Sequence, residues 1–335
     1  MAQQTPALVS EDRLTVHNLV RSDLQASFAE DVRRGLSSNP RRLFPKYFYD
    51  ELGSRLFDAI CLLPEYYLTR AEDEILSRSA EEITSSIKGH KTLLEMGSGS
   101  AAKTRRIIEA ILKEQSELHY IPVDISASAL EQSSRVLLQS YTELRITAYA
   151  SDYYDGLAAL HAEERGRTLA LFLGSNIGNF DMDEARRFLL ALRGVLSAGD
   201  GLLLGADLKK SARSLEAAYD DALGVTAAFN LNLLARINHE LEASFDLRSF
   251  RHEAIYNEAL GRVEIYLVSE RAQRIPIRRL GMQASFAAGE RIHTENSYKY
   301  DLDGLSQLAR VTGFELSRTW LDQQQQFSSN LFLAA

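Results

Sequence analysis

The stretch "TLLEMGSGSAAKTRRII", residues 92–108, decides the fold. Leu93, Leu94 and Met96 make a short apolar run of strand length, and Ile107 and Ile108 begin an apolar helical face. The glycines therefore fall in a strand-to-helix turn. Gly97 and Gly99 allow the backbone to approach a ligand without a Cβ in the way, and Gly97, Gly99 and Ala102 also meet the spacing G-x-G-x-x-G/A. By itself the turn does not name a ligand, and a tight turn that holds none has the same spacing.

Outward from this turn the chain alternates short apolar strands with amphipathic helices. A helix over "TRAEDEILSRSAEEITSSI", with Thr69 as its cap, precedes the strand "KTLLEM". The helix "AKTRRIIEAILKEQ", the strand "LHYIPVDI", the helix "SASALEQSSRVLLQSY" and the strand "RITAYASDY" follow, then "TLALFLGS", "MDEARRFLLALRGVL" and "GDGLLLGADL". This order predicts βαβ units and an α/β fold with a mostly parallel sheet covered on both faces. The pattern changes after residue 209: one long helical stretch, "SARSLEAAYDDALGVTAAFNLNLLARINHEL", leads into β-rich segments ending in "ERIHTENSYKY". The tail returns to a helix and two strands, "FELSRTWLD" and "QFSSNLFLAA", expected as an antiparallel hairpin at the edge of the main sheet. The segment after residue 209 reads as an inserted second domain or subdomain.

The 335 residues are 45% apolar, enough for a sizeable core, and carry a net charge of −8 with no Lys/Arg-rich stripe. Nucleic-acid binding depends on neutralising phosphates, so nucleic acid is not the expected partner. "MAQQTPALVSEDRLTVHNLV" has acidic and polar residues where a signal peptide needs a basic flank and an apolar run, and no long apolar run occurs later. The expectation is a cytoplasmic monomer without a membrane partner, acting on a small molecule. Cys61 is the single cysteine, so no intrachain disulfide is possible, and its apolar neighbours suit a buried structural thiol. The seven histidines show no HxxxH or HExxH spacing, and no bound metal is expected.

Three acids narrow the ligand. Glu95, two residues before the first glycine, is expected to end its strand at the water-facing edge, where a carboxylate suits an ammonium group more than a pyrophosphate. Asp124 ends the next strand, where it can accept both hydroxyls of a ribose. Asp152 and Tyr153 end the third, an acceptor and an aromatic placed where adenine would lie. Acids at three successive strand ends resemble the class I S-adenosylmethionine-dependent methyltransferases, whose core is Rossmann-like. A nicotinamide-dependent oxidoreductase shares the Asp124 feature, but the fourth strand end, "LALFLGSNIGNF", offers no His or Lys acid for hydride transfer. It offers Asn179 instead, which can donate to a substrate carboxylate and accept from its amine, or can serve as a turn residue and helix cap.

"KYFYDELGSRLFDAICLLPEYYLTRAE", "LLEMGSGSAAKT", "LFLGSNIGNF", "AYDDALGVTAAFNLNLL" and "HTENSYKY" together resemble the histidine-specific methyltransferase family, the L-histidine Nα-methyltransferases that make hercynine in ergothioneine biosynthesis. The resemblance covers nearly the whole chain and implies S-adenosyl-L-methionine as cofactor, with L-histidine and its N-methylated forms as substrates. It also implies the division 71–209 with 299–335 as the cofactor-binding domain, and 1–70 with 210–298 as an α+β substrate-recognition domain. It implies cofactor contacts at Gly97, Lys103, Asp124, Asp152 and Tyr153. It places Tyr49 and Tyr66 near the substrate amine, Asn179 and Tyr219 around its carboxylate, and Glu295 with Ser297 on the imidazole. Glu295 and Ser297 are two apart, so on a strand both face one way. Ile265 stands where the family often has methionine, a swap of similar volume beside the implied imidazole site. A same-fold enzyme acting on another amino acid, such as an indole-bearing one, is the nearest alternative, and Glu295 counts against it.

Overall fold

The structure is a computed structural model that describes residues 11–19, 24–160 and 166–335. Residues 1–10 and 20 of the opening segment, on which the expectation about a signal peptide rests, lie outside the described residues. The chain divides into two units, one drawn from Met1–Val20, Arg70–Leu208 and Tyr300–Ala335, the other from Arg21–Thr69 and Lys209–Lys299.

In the first unit eight strands form one sheet in the order Leu14–Asn18, Leu144–Ala150, Leu118–Asp124, Lys91–Met96, Arg167–Phe172, Gly201–Asp207, Phe327–Ala334, Phe314–Leu321. The first six run parallel, Phe327–Ala334 pairs antiparallel with Gly201–Asp207, and Phe314–Leu321 pairs antiparallel with Phe327–Ala334. Every residue of Lys91–Met96 and Gly201–Asp207 is buried, as expected where helices cover both faces of a parallel sheet. The helix Thr104–Leu112 buries Thr104, Ile107, Ile108, Ala110 and Ile111, one stripe at helical spacing. From Lys91–Met96 the chain builds outward through Leu118–Asp124 and Leu144–Ala150, then returns to the other side at Arg167–Phe172. That reversal opens a crevice beyond the carboxyl ends of Lys91–Met96 and Arg167–Phe172, where open α/β sheets bind ligands.

The expected elements are altered in four places. Leu14–Asn18 pairs with Leu144–Ala150 and so belongs to the parallel sheet, whereas all of 1–70 was grouped with the later insertion. The helix after the glycines begins at Thr104, because Ala101 takes a left-handed φ of 53° that no helix accommodates. Thr69 lies inside the helix Leu68–Ser85 and does not cap it. The long helical stretch breaks into Ala212–Tyr219 and Val225–Leu241 at Gly224, whose φ is +76°, and the Asp221 carboxylate caps the second piece by accepting from the Val225 and Thr226 N–H groups at 3.0 and 2.7 Å.

In the second unit a four-stranded sheet runs Arg41–Arg42, Arg291–Tyr298, Arg262–Ser269, Phe250–Asn257, and a hairpin joins Gln273–Ile277 to Met282–Phe286. Val225–Leu241 buries Phe229, Leu233, Leu234, Ile237 and Leu241, and Phe229 stacks on Phe48 at 4.6 Å. Cys61, just after the helix Glu51–Ile60, is partly exposed, contrary to the buried thiol expected from its apolar neighbours, because Leu62 beside it faces solvent. No helix among the described residues is long and apolar enough to cross a membrane.

Candidate active site

The first unit brings four loops to the carboxyl ends of its parallel strands. In the glycine turn Gly97 has φ +73°, and a Cβ there would sit 2.9 Å from the Tyr153 hydroxyl and 3.0 Å from Asn176 Nδ2. Gly99 has φ +49° and open space where its Cβ would be. The turn is thus closed on one side and open on the other, as a cradle for a ligand requires. The Asp124 carboxylate accepts from the Gly99 N–H at 2.9 Å and the Ser126 N–H at 3.0 Å. Lost solvation raises its carboxyl above the usual range, and these N–H groups oppose the rise. Asp152 is exposed, with one oxygen accepting from the Asp155 N–H at 2.9 Å. The Tyr153 ring is set edge-on to Phe172 and Phe180, which holds its hydroxyl beside Gly97.

Glu95 departs from its expected setting. It is 3% exposed and does not meet water; its oxygens accept from the Thr104 hydroxyl at 2.8 Å and from the Tyr120 hydroxyl. Desolvation pushes its carboxyl up to about 7 against those two bonds, with Glu72 and Asp124 adding to the rise. Strand register explains the burial: Glu95 pairs with Pro122 and Leu171, one position short of the strand end. Its carboxylate therefore ties the start of the next helix to the sheet behind the glycine turn. Lys103 pairs with Glu72, a fully buried carboxylate that sequence reading passed over. Glu72 also accepts from the Gly174 N–H at 2.9 and 3.0 Å, so one acid links the lysine to the far side of the crevice.

There the chain takes two left-handed residues in succession, Gly174 at φ +73° and Ser175 at +59°. For serine that conformation carries strain, held by its hydroxyl accepting from the Asp207 N–H at 3.0 Å. The short turn Asn176–Asn179 follows. The capping role open to Asn179 falls to Asp181, which forms a reciprocal capping box with Glu184. The Asn179 amide, half-buried, has no hydrogen-bond partner among the described residues.

The second unit gathers a different set. A bulge between His293 and Glu295 shifts the register of Arg291–Tyr298, so His293 pairs with Tyr266 while Glu295 pairs with Ile265 and Ser297 with Val263. His293 is turned to the opposite face, against Tyr266 and Asn296, and Glu295 and Ser297 share the other. Ile265 is 3% exposed directly across from Glu295. Glu295 keeps some solvent access, yet it lies deep enough that lost solvation raises its carboxyl to about 7, with the Lys299 ammonium opposing. Its carboxylate forms no hydrogen bond or ion pair among the described residues.

Lys299 continues the alternation past Ser297. Its buried ammonium donates to the Tyr219 hydroxyl at 2.7 Å and the Ser297 hydroxyl at 2.9 Å, and these two hydroxyls bond each other at 2.8 Å. Tyr219 closes the helix Ala212–Tyr219, and its carbonyl accepts from His252 Nε2 at 2.7 Å while Asn230 Nδ2 donates to His252 Nδ1 at 2.9 Å. These bonds fix a neutral ring, which burial favours by lowering its pKa. Tyr66 is buried edge-on to Tyr219, and its phenol is held well above its usual range by desolvation and by neighbouring Tyr219, Cys61, Tyr49 and Glu295. Tyr49 packs edge-on to Phe57 and Phe229.

A profile described as "Histidine-specific methyltransferase, SAM-dependent" matches residues 28–334. The chain belongs to that family. Its relatives include the histidine N-alpha-methyltransferases of Mycobacterium tuberculosis and Mycolicibacterium smegmatis, each 40% identical over 320 residues, covering 95% of this chain and 99% and 98% of theirs. "Ergothioneine biosynthesis protein 1" of Neurospora crassa is 32% identical over 288 residues, 84% of this chain and 32% of that longer protein. Among solved structures, the magnesium protoporphyrin IX methyltransferase of Synechocystis PCC 6803 aligns with a TM-score of 0.44 and 10% identity, covering 86% of this chain and 95% of that one. Membership makes the chain an S-adenosylmethionine-dependent methyltransferase and removes the nicotinamide reading. The glycine cradle and the accepting carboxylates of Asp124 and Asp152 fit that cofactor. Lys299, Glu72 and His252 belong to these two clusters and were passed over in the sequence reading. Only Lys299 left a signal, the i, i+2, i+4 alternation of Glu295, Ser297 and Lys299.

Proposed function

We propose that the enzyme transfers methyl groups from S-adenosylmethionine to the α-amine of L-histidine three times, giving hercynine for ergothioneine synthesis, and that it does so as a cytoplasmic monomer. The observation that carries the choice of histidine is Glu295: a desolvated carboxylate without a hydrogen-bond or ion-pair partner among the described residues, beside a serine hydroxyl on one strand face. Such a carboxylate costs free energy unless a ligand N–H meets it, and an imidazole supplies one.

When bound, the cofactor supplies a methyl group already activated on a sulfonium, so the protein's task is alignment and control of the amine proton. Gly97, Gly99, Asp124, Asp152 and Tyr153 would hold the cofactor. Lys103 would add charge near its carboxylate, and Glu95 would act indirectly by fixing the turn. On the substrate, Asn179 and Tyr219 would bind the carboxylate and Glu295 with Ser297 the ring. Tyr49 and Tyr66 would orient the amine. Because the Tyr66 phenol stays protonated at neutral pH, it can accept an amine N–H but does not act as a phenolate base. The proton leaves to water or through a polar relay.

The test is a methyl-transfer assay across free amino acids and their N-methylated forms, read by mass spectrometry. Three methyl increments on histidine are expected. Preference for tryptophan, phenylalanine or a non-amino-acid amine would overturn the reading.

A further inference from the structure

We propose that Lys299 is a positioning residue for ring recognition, orienting the Tyr219 and Ser297 hydroxyls and supplying the cation that balances Glu295. The proposal rests on the reading of Glu295 and Ser297 as the ring contacts.

The geometry carries it. Lys299 is 3% exposed, and its ammonium sits 4.5 Å above the Tyr219 ring while donating to both hydroxyls, which also bond each other. An ammonium only donates, so it takes a lone pair on each oxygen and fixes the direction in which each O–H can turn. Two rotors that would otherwise adopt several arrangements are narrowed to the two in which one hydroxyl donates to the other, lowering the ordering cost when a ligand binds. The ammonium also places a positive charge on the face that carries Glu295, two strand positions beyond Ser297. With Lys299 present, the acid and base together favour a neutral ring able to donate one N–H. Without it, Glu295 favours a ligand that brings its own positive charge, and an imidazolium does so.

Two substitutions separate orientation from charge. Lys299→Gln keeps N–H donors for the hydroxyls but removes the charge, and Lys299→Met removes both. Each is assayed at about pH 6.5, where imidazole is half protonated, against histidine and against triazolylalanine, whose ring stays neutral. The Met variant should raise the histidine KM by roughly 10- to 100-fold, the loss expected on removing hydrogen bonds to a charged group, with kcat changed much less. In both variants the ratio of histidine to triazolylalanine kcat/KM should rise by about fivefold, a modest charge–charge effect.

Thermal melting with S-adenosylhomocysteine identifies folded protein, and the Gln variant carries the test if the Met variant does not fold. An equal loss on both substrates, with the ratio unmoved, is what a merely structural lysine gives and overturns the proposal. So does a Met variant whose histidine KM stays within about twofold of the wild type. If the wild-type enzyme fails to methylate histidine, the ring reading itself fails, and that outcome is distinct from the other two.

Discussion

The glycine turn of the first unit and the strand Arg291–Tyr298 of the second are built by opposite means. Around the turn, backbone N–H groups and side chains satisfy one another: Asp124 takes two N–H groups, Glu95 two hydroxyls, and Glu72 both Lys103 and the Gly174 N–H. Along the strand, Glu295 has no hydrogen-bond or ion-pair partner among the described residues, beside three groups bonded to one another, Ser297, Tyr219 and Lys299. A donor common to many enzymes of this fold can be held by backbone shape. A particular acceptor is selected by an unmet side chain, since leaving a buried polar group unpaired penalises the wrong ligand.

The largest effect should come from breaking the turn. Gly97→Val forces a β-branched residue to φ +73° with its Cβ against Tyr153 and Asn176, and should weaken S-adenosylhomocysteine binding by about 100-fold or more, measured by calorimetry. Glu295→Ala should come next. It is expected to lower kcat/KM for histidine by roughly 100-fold while losses on phenylalanine or tryptophan stay small, so that the preference for histidine collapses. An unchanged preference would mean that the ring is read elsewhere.

The pH response sharpens the same contrast. In the proposed site an ionised Glu295 accepts the ring N–H more strongly than a protonated one, so kcat/KM for histidine should rise with pH through about 7 and that limb should vanish in Glu295→Gln. Stability runs the other way. A carboxyl raised from 4.5 to about 7 binds its proton more tightly in the folded state, which stabilises the fold at low pH; that contribution is lost as pH rises through this window. Glu95 titrates over the same range, so Glu295→Gln should reduce the slope in denaturant melts without abolishing it. Tyr49→Phe and Tyr66→Phe should each lower kcat by about tenfold and enrich partly methylated products. Normal turnover and product distribution in both would remove the tyrosines from amine orientation. Ile265→Met should change kcat/KM by no more than a few-fold, since the swap nearly conserves volume.

The parts legible in the sequence were those written in local pattern. Apolar strands, amphipathic helices and glycines at strand ends gave the parallel core, and the two-residue spacing of Glu295 and Ser297 placed both on one face. What escaped depends on partners far apart in the chain. Glu72 and Gly174 are 102 residues apart, and nothing near "TRAEDE" marks Glu72 as a buried acid. Glu95 was misread as water-facing because its burial depends on Tyr120 from the neighbouring strand. Leu14–Asn18 joined the parallel sheet through pairing with a strand some 130 residues away, which its own short, exposed sequence does not announce. The bulge that turns His293 away from Glu295 likewise left no local sign.

The most direct measurement is a competition assay. Wild-type enzyme and Glu295→Ala are each given histidine, tryptophan and phenylalanine together with S-adenosylmethionine, and the methylated products are counted by mass spectrometry. Wild type should yield trimethylated histidine almost alone, and the variant a mixture without that preference. Histidine preferred equally by both proteins, or by neither, would contradict the assignment of acceptor choice to this strand.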